Sequence, residues 1–280
     1  MIENRIILNV GVLPYNLEKK LKLAAQLKFD VIEIGNIDLT SPDQNLQTNA
    51  KTLQRSALKI AAFHELKDFL GHPSNLMNYK MNLAKSNLRL MEDVGANLLI
   101  VSPATENYSK PDLQRMVDEL RALAILGTVR GVRIGFKPLP WSQSINNYRD
   151  AIELITQACN ANLCLVIDNV ALRHCSDEGL AELIKDIPMD MVGLVQLSAI
   201  DSPKPEKEHI IPARMLATSA SHEPVIPKLI DLMEQQGYRG RYSLYAESSS
   251  YHHCSEEIIC TEITNCLRYV KGLINQTASQ

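Results

Sequence analysis

The sequence predicts an α/β protein folded as a (β/α)8 barrel, and three observations carry that prediction. Short β-branched runs alternate with longer amphipathic stretches eight times from one end of the chain to the other. Several of the short runs lack a clean polar alternation, which is the pattern of parallel strands covered on both faces. The 280 residues suit such a barrel, typically about 250 residues, and no Pro/Gly/Ser-rich linker divides the series. A single domain over residues 1–280 follows. The competing architecture, a doubly wound open sheet, would normally carry a glycine-rich phosphate loop after an early strand, and neither GxGxxG nor GxxxxGK(S/T) occurs.

The eight units follow in order. Residues 6–12 form a strand-like run, and residues 17–27 follow it with Leu17, Leu21, Ala24, Ala25 and Leu27 at helical spacing. Residues 31–34 open the second unit, and a polar helix over 42–56 closes it. Runs at 58–63 and 76–94 make the third unit, and 97–101 with 112–126 the fourth. The fifth pairs 132–139 with 148–158, and the sixth 163–167 with 179–184. In the seventh, 191–197 and 224–236 are separated by a long polar connection over 201–221; residues 242–246 and 256–273 complete the eighth.

Apolar residues at 45% and charged residues at 22% exclude a disordered or collagen-like chain. With 29 basic and 32 acidic side chains the net charge is −3, which argues against general attraction to nucleic acid or an anionic membrane. No apolar stretch approaches the roughly 18 residues of a membrane span, and residues 1–11 resemble a buried strand more than a signal segment. The expectation is a cytoplasmic protein with a small neutral or polar ligand and no nucleic-acid or membrane partner; a homodimer is compatible with it. Six cysteines with no CxxC pair indicate neither a disulfide framework nor a zinc knuckle, and read as reduced and mostly packed.

In a barrel of this kind, chemistry belongs to the C-terminal ends of the strands and the loops after them. Glu33, His64 with Glu65, Ser102, Lys137, Asp168, Gln196, Tyr245 and Glu247 stand there. Each alone is more often a solvated loop residue. Convergence on one mouth changes that, because burying any of them unpaired is costly. Lys137 is the most informative, since its charge interrupts an apolar strand and needs an anion. Residues two apart in a strand share a face, so inward-pointing Lys137, Asp168, Gln196 and Tyr245 would form a polar arc, with Lys137 in reach of Asp168. His64 could hydrogen-bond a sugar hydroxyl or be structural. Arg214 lies in the long seventh loop, where it could be solvated or, as the family resemblance given below implies, hold an oxyanion; Trp141 could stack on a ligand face at the mouth or cap the barrel. His252 and His253, being adjacent, diverge in regular backbone.

At these residues the chain resembles the sugar phosphate isomerase/epimerase superfamily, the xylose isomerase-like TIM barrels. The resemblance spans nearly the whole sequence. It rests on Lys28-Phe29-Asp30-Val31-Ile32-Glu33-Ile34, Val94-Gly95-Ala96-Asn97, Leu165-Val166-Ile167-Asp168, Val195-Gln196-Leu197 and Gly237-Tyr238-Arg239-Gly240. Residues 141–154 and 186–198 are also similar to the inosose isomerase and 3-dehydroshikimate dehydratase branches. The resemblance implies a divalent cation at the mouth, held by Glu at strand five, Asp or Glu after six, His or Gln at seven and Glu at eight, with carboxylates moving protons between carbons. Asp168 and Gln196 match. Lys137 replaces the first glutamate, Tyr245 the last, and Ala171 stands where relatives often carry a histidine.

Lys137, being itself a cation, would repel a divalent ion and is able to replace it. No cofactor is therefore expected, with Lys137 pairing Asp168 and with Gln196 and Tyr245 completing the hydrogen bonding; a retained Mn, Mg or Zn, using Glu247 as a displaced carboxylate, is the alternative. Lys137, Asp168, Gln196, Tyr245 and Glu247 form the candidate catalytic set, and His64, Trp141 and Arg214 the substrate contacts. Three functions compete: an isomerase, epimerase or dehydratase of a small keto-sugar or inosose; an inactive barrel kept for ligand binding or regulation; and a Schiff-base enzyme acting through Lys137.

Overall fold

The computed structural model describes residues 3–40, 45–106, 112–200, 213–221 and 223–277. Eight parallel strands close into a barrel: β1 (Ile6–Asn9), β2 (Val31–Gly35), β3 (Lys59–Leu70), β4 (Leu98–Pro103), β5 (Arg133–Phe136), β6 (Leu163–Asp168), β7 (Val192–Leu197) and, last in the chain, β10 (Arg241–Leu244). Closure is made where Ile6, Ile7 and Leu8 pair with Tyr242, Ser243 and Leu244. A short antiparallel ribbon, β8 (Ala199–Ile200) with β9 (Arg214–Met215), follows β7.

Outside the barrel lie α1 (Leu17–Gln26), α3 (Leu46–Arg55), α4 (Ser74–Val94), α5 (Leu113–Val129), α6 (Tyr148–Ala158), α7 (Asp177–Asp186), α8 (Val225–Gln235) and α9 (Glu256–Thr277). Polar N-caps start many of them. Asn16, Asn45, Asp112, Asn147 and Ser176 each accept a first-turn N–H of their helix. Among the described residues no helix is long and apolar enough to cross a membrane.

Two apolar layers follow from the strand period of two. Leu8, Ile32, Leu99, Ile134, Leu165 and Val195 point outward into the continuous core shared with the helices. Ile7, Val31, Ile100, Cys164, Val166 and Leu194 point inward as a separate cluster filling the barrel. One pleat beyond Ile7, Val31, Ile100, Val166 and Leu194 stand Asn9, Glu33, Ser102, Asp168 and Gln196, all buried. The site is thus the top layer of the barrel interior.

The expected units are present, with differences at their edges. β3 runs seven residues past the anticipated end, because Leu66, Phe69 and Leu70 remain buried and Leu66 and Leu70 pair with Val101 and Pro103 of β4. β5 stops at Phe136, yet the Lys137 amide still donates to the Val101 carbonyl at 2.9 Å, so the alternation of faces carries on by one residue. Likewise the Tyr245 amide donates to Leu197 O at 3.0 Å beyond the end of β10. A short helix, α2 (Asn36–Leu39), was not anticipated. The first residues of the helix expected over 42–56, and most of the 201–221 connection, lie outside the described residues.

Gly135 lies in a close-packed part of the barrel floor beneath Lys137: a Cβ there would meet Val166 Cγ2 at 2.7 Å and Leu98 Cδ1 at 3.1 Å. Gly135→Ala should therefore destabilise the fold by about 1–3 kcal/mol through overpacking. Gly272→Ala, within α9 and with nothing inside 4 Å of the new Cβ, should be neutral or stabilise by up to about 1 kcal/mol. Urea unfolding of the two variants checks the contrast.

Candidate active site

Five side chains from four strands close a ring across the mouth. Lys137 Nζ lies 3.2 Å from Gln196 Oε1 and 3.2 Å from Glu65 Oε2. Gln196 Nε2 donates to Glu33 Oε1 at 2.6 Å, and Glu33 Oε1 lies 3.2 Å from His64 Nδ1. His64 Nε2 faces Glu65 Oε2 at 3.6 Å, which completes the circuit. Ser243 Oγ from β10 donates to the other Glu33 oxygen at 2.5 Å. Glu33 and Gln196 are fully buried and Lys137 is 2% exposed.

A second pair stands beside the ring. Arg214 reaches in from the ribbon and grips Asp168 with both nitrogens, Nη1 to Oδ1 at 3.1 Å and Nη2 to Oδ2 at 2.6 Å, while Nη1 also donates to Ser198 Oγ at 2.9 Å. The Arg214 carbonyl accepts from the Glu247 amide, which ties the ribbon to the segment after β10. Tyr245 sits between the two systems. Its ring is 4.8 Å from the Arg214 guanidinium, 5.6 Å from Lys137 Nζ and 4.8 Å edge-on from His64, and its hydroxyl donates to Glu247 Oε1 at 2.6 Å.

Two cavities flank Tyr245. The larger, about 470 Å³, is lined by Glu65, Ser102, Lys137, Trp141, Arg214 and Tyr245 among others. The smaller, about 370 Å³, is lined by Asn9, His64, Tyr245, Glu247 and the Lys20–Asp38 ion pair. Both fall in the range of small-molecule sites. Glu65 Oε1, Ser102 Oγ and Arg214 Nε are buried without a hydrogen-bond partner on the larger cavity's wall. The Ser102 hydroxyl is near enough to Glu65 to favour its charged form, but the two meet in a geometry short of a hydrogen bond.

The electrostatics follow the pairings. Burial opposes ionisation of Glu65, but Lys137 and then His64 overcome it and bring its pKa down to about 2. Burial likewise opposes the Asp168 carboxylate, and Arg214 followed by Lys137 reverses the effect, so its pKa lies below the ordinary value. Burial pushes the Tyr245 hydroxyl well above its ordinary value against the pull of Arg214, so it is a neutral donor. The Arg214 guanidinium is held firmly charged by Asp168, against its own burial.

Lys137, Asp168, Gln196, Tyr245, Glu247, His64, Trp141 and Arg214 all lie at the mouth, but three expected relations are corrected. Lys137 pairs with Glu65, not Asp168, because the Arg214 fork takes both Asp168 oxygens. Arg214 is fully buried as an internal counter-ion rather than a solvated loop residue or a free oxyanion holder. Glu247 is not a displaced carboxylate on a continuing strand: β10 ends at Leu244, and Glu247 precedes a single 3-10 turn. Cys164 and Cys266 are packed, whereas Cys159 and Cys175 are exposed. Glu33 and Glu65 stood among the strand-end candidates, but neither they nor Ser243 were assigned to the catalytic or substrate-contact sets. Parity with Val31 places Glu33 inward and was available in the sequence; the Lys137–Glu65 pair spans two strands and was not.

A closed parallel barrel whose strand-end polar groups converge on cavities at the C-terminal mouth defines a (β/α)8 protein of the enzyme-bearing type. More narrowly, residues 21–259 match the model of the xylose isomerase-like TIM barrel family, and the chain belongs to that family. It is 30% identical over 190 residues to a 3-dehydroshikimate dehydratase of Pseudomonas aeruginosa, covering 67% of this chain but 29% of that protein, so it spans less than a third of this relative. Its fold superposes on a xylose isomerase-like TIM barrel/4-hydroxyphenylpyruvate dioxygenase fusion protein with a TM-score of 0.86 at 23% identity, over 98% of this chain and 43% of the other. It also matches an IolI protein with a bound zinc atom, with a TM-score of 0.80 at 17% identity over 97% and 98% of the two chains.

The depressed carboxylates fix the sign of the acid response. Glu65 titrates at about 2 in the folded chain against an ordinary 4.5, so its contribution is fully present above pH about 4.5 and is lost as the pH falls toward 2; Asp168 acts in the same direction. Lys137→Met should remove about 3–5 kcal/mol at neutral pH by leaving Glu65 buried without its partner, and should shrink the further loss in acid. Denaturant unfolding between pH 2 and 7 checks both.

Proposed function

We propose that the chain is an isomerase or epimerase of a small keto-sugar or inosose, working by proton transfer at the barrel mouth with side-chain cations in place of a divalent metal. The observation that carries this reading is the buried Lys137 ammonium, set between Glu65 and Gln196 on the wall of the larger cavity. Removing a proton from the carbon beside a carbonyl puts negative charge on the carbonyl oxygen. A fixed cation in a dry site stabilises that charge without reorganising. Trp141 and Leu139 give the same cavity an apolar wall against which a sugar face can lie.

The donor set does not suit a divalent ion. Lys137 repels one, Asp168 has both oxygens committed to Arg214, and the Gln196 carbonyl oxygen accepts from Lys137. Tyr245 is a neutral phenol whose proton goes to Glu247. Among the described residues no three His, Cys, Asp or Glu side chains form a metal-holding group. The chemistry is therefore assigned to the chain's own groups. Because Lys137 Nζ is engaged by Glu65 and Gln196, it is not free to attack a carbonyl, and a Schiff base through it is disfavoured.

A second reading, a barrel retained for ligand binding without turnover, is favoured by one observation: each buried cation already has a carboxylate, Lys137 with Glu65 and Arg214 with Asp168. A panel of ketoses and inososes incubated with chelator-treated protein separates the readings. Turnover unchanged by chelator or by added Mn, Mg or Zn is the expected result. Saturable binding without turnover supports the second reading, and turnover only with added metal overturns the metal-free mechanism.

A further inference from the structure

Two of the unpartnered buried atoms on the wall of the larger cavity stand together. Glu65 Oε1 comes from β3 and Ser102 Oγ from β4, strands paired at Leu66 and Val101, the residues next to them in sequence. Ser102 is fully buried, and the Glu65 side chain is 5% exposed. The hydroxyl lies near enough to support the Glu65 charge, yet it is not aligned to donate to it. A buried polar atom that has given up water and found no protein partner is costly, so a pair of them facing one cavity calls for a ligand group that matches both. Arg214 Nε differs, because the rest of its guanidinium is committed to Asp168 and Ser198.

We propose that Glu65 Oε1 and Ser102 Oγ are the specificity pair of the larger cavity, reading the free hydroxyl on the carbon beside the substrate's carbonyl. This rests on the reading under Proposed function, which sets a keto-sugar carbonyl at Lys137, and it narrows the substrate to an α-hydroxy ketone unsubstituted at that oxygen. The chemistry of the pair selects a hydroxyl. A carboxylate oxygen can only accept, whereas a serine hydroxyl donates or accepts. A ligand O–H that donates to Glu65 Oε1 and accepts from Ser102 Oγ satisfies both atoms at once. A bare C–H in its place leaves both unmatched, an ether leaves Glu65 without a donor, and a carboxylate or phosphate oxygen meets Glu65 as a like charge.

Glu65 itself places that hydroxyl next to the carbonyl. Its Oε2 holds Lys137 Nζ at 3.2 Å, and Oε1 is the other oxygen of the same carboxylate, so the ammonium and the free acceptor are neighbours on one wall. Lys137 Nζ carries three N–H donors. One faces Glu65 and one Gln196 Oε1 at 3.2 Å; the third has no hydrogen-bond partner among the described residues. A carbonyl oxygen and a hydroxyl on adjacent carbons are neighbours in the same way. One α-hydroxy ketone can therefore offer its carbonyl to the ammonium and its hydroxyl to Glu65 and Ser102, with Trp141 and Leu139 lining the same cavity for its C–H face. The Glu65 to Lys137 ion pair is kept throughout.

Binding tests the assignment without requiring turnover. Trp141 is the only tryptophan of the chain and lines this cavity, so its fluorescence reports a ligand there. Ketoses and inososes are titrated into wild-type and Ser102→Ala protein, each beside analogues in which one hydroxyl next to the carbonyl is replaced by hydrogen. Wild-type protein should bind a parent ligand about 10- to 100-fold more tightly than one of its analogues, the range for a hydrogen bond to a charged group. In S102A the parent should weaken by about fivefold while the analogue changes little, so the discrimination narrows. The variant should unfold no earlier than wild type on heating, because the hydroxyl it loses has no partner in the free chain. Equal wild-type binding of parents and analogues, or undiminished discrimination in S102A, overturns the inference and leaves the keto-sugar reading standing. Earlier unfolding of S102A, or its failure to fold, does the same by giving the hydroxyl to the fold. No Trp141 response of the wild-type protein to any panel member overturns both.

Discussion

Everything at the mouth depends on keeping one ammonium, Lys137, inside the barrel. An unpaired ion at that depth costs several kcal/mol even after relaxation, and the cost is offset only if charge and hydrogen bonds are both supplied. Glu65 supplies the charge, and Gln196 supplies a carbonyl oxygen whose amide end is passed on to Glu33. Glu33 then needs donors for its second oxygen, which Ser243 provides from the strand that closes the barrel. Each partner recruits the next, so the ring couples β2, β3, β5, β7 and β10 into one unit. Such networks do little for net stability, but they penalise any arrangement that leaves a member unmatched.

Much of this was legible in the sequence, and the reason is periodicity. Strand alternation placed Asp168 inward with Val166 and Gln196 with Leu194, and the structure keeps that parity past the strand ends, where backbone bonds from Lys137 and Tyr245 continue the ladder. Which inward residues touch was not legible. Lys137 and Asp168 are on neighbouring strands and seemed natural partners; the outcome was decided by Arg214, carried on a ribbon 46 positions downstream whose path no local pattern encodes. The extension of β3 was hidden for the opposite reason, because the polar pair His64-Glu65 reads as a strand end although Leu66, Phe69 and Leu70 continue the buried run.

The substitutions relative to the family resemblance make sense together rather than singly. The implied arrangement surrounds a divalent cation with three carboxylates and a neutral ligand. Here Lys137, Asp168, Gln196 and Tyr245 together carry no net charge, so a bound divalent ion would be left largely uncompensated. Asp168 cannot remain bare in the interior, and Arg214 meets it with a planar fork that satisfies both oxygens. Tyr245 stands where the resemblance implies a glutamate, and its ring lies near both cations. One change of sign at β5 is thereby accommodated by a second cation, a phenol and a carboxylate from β3.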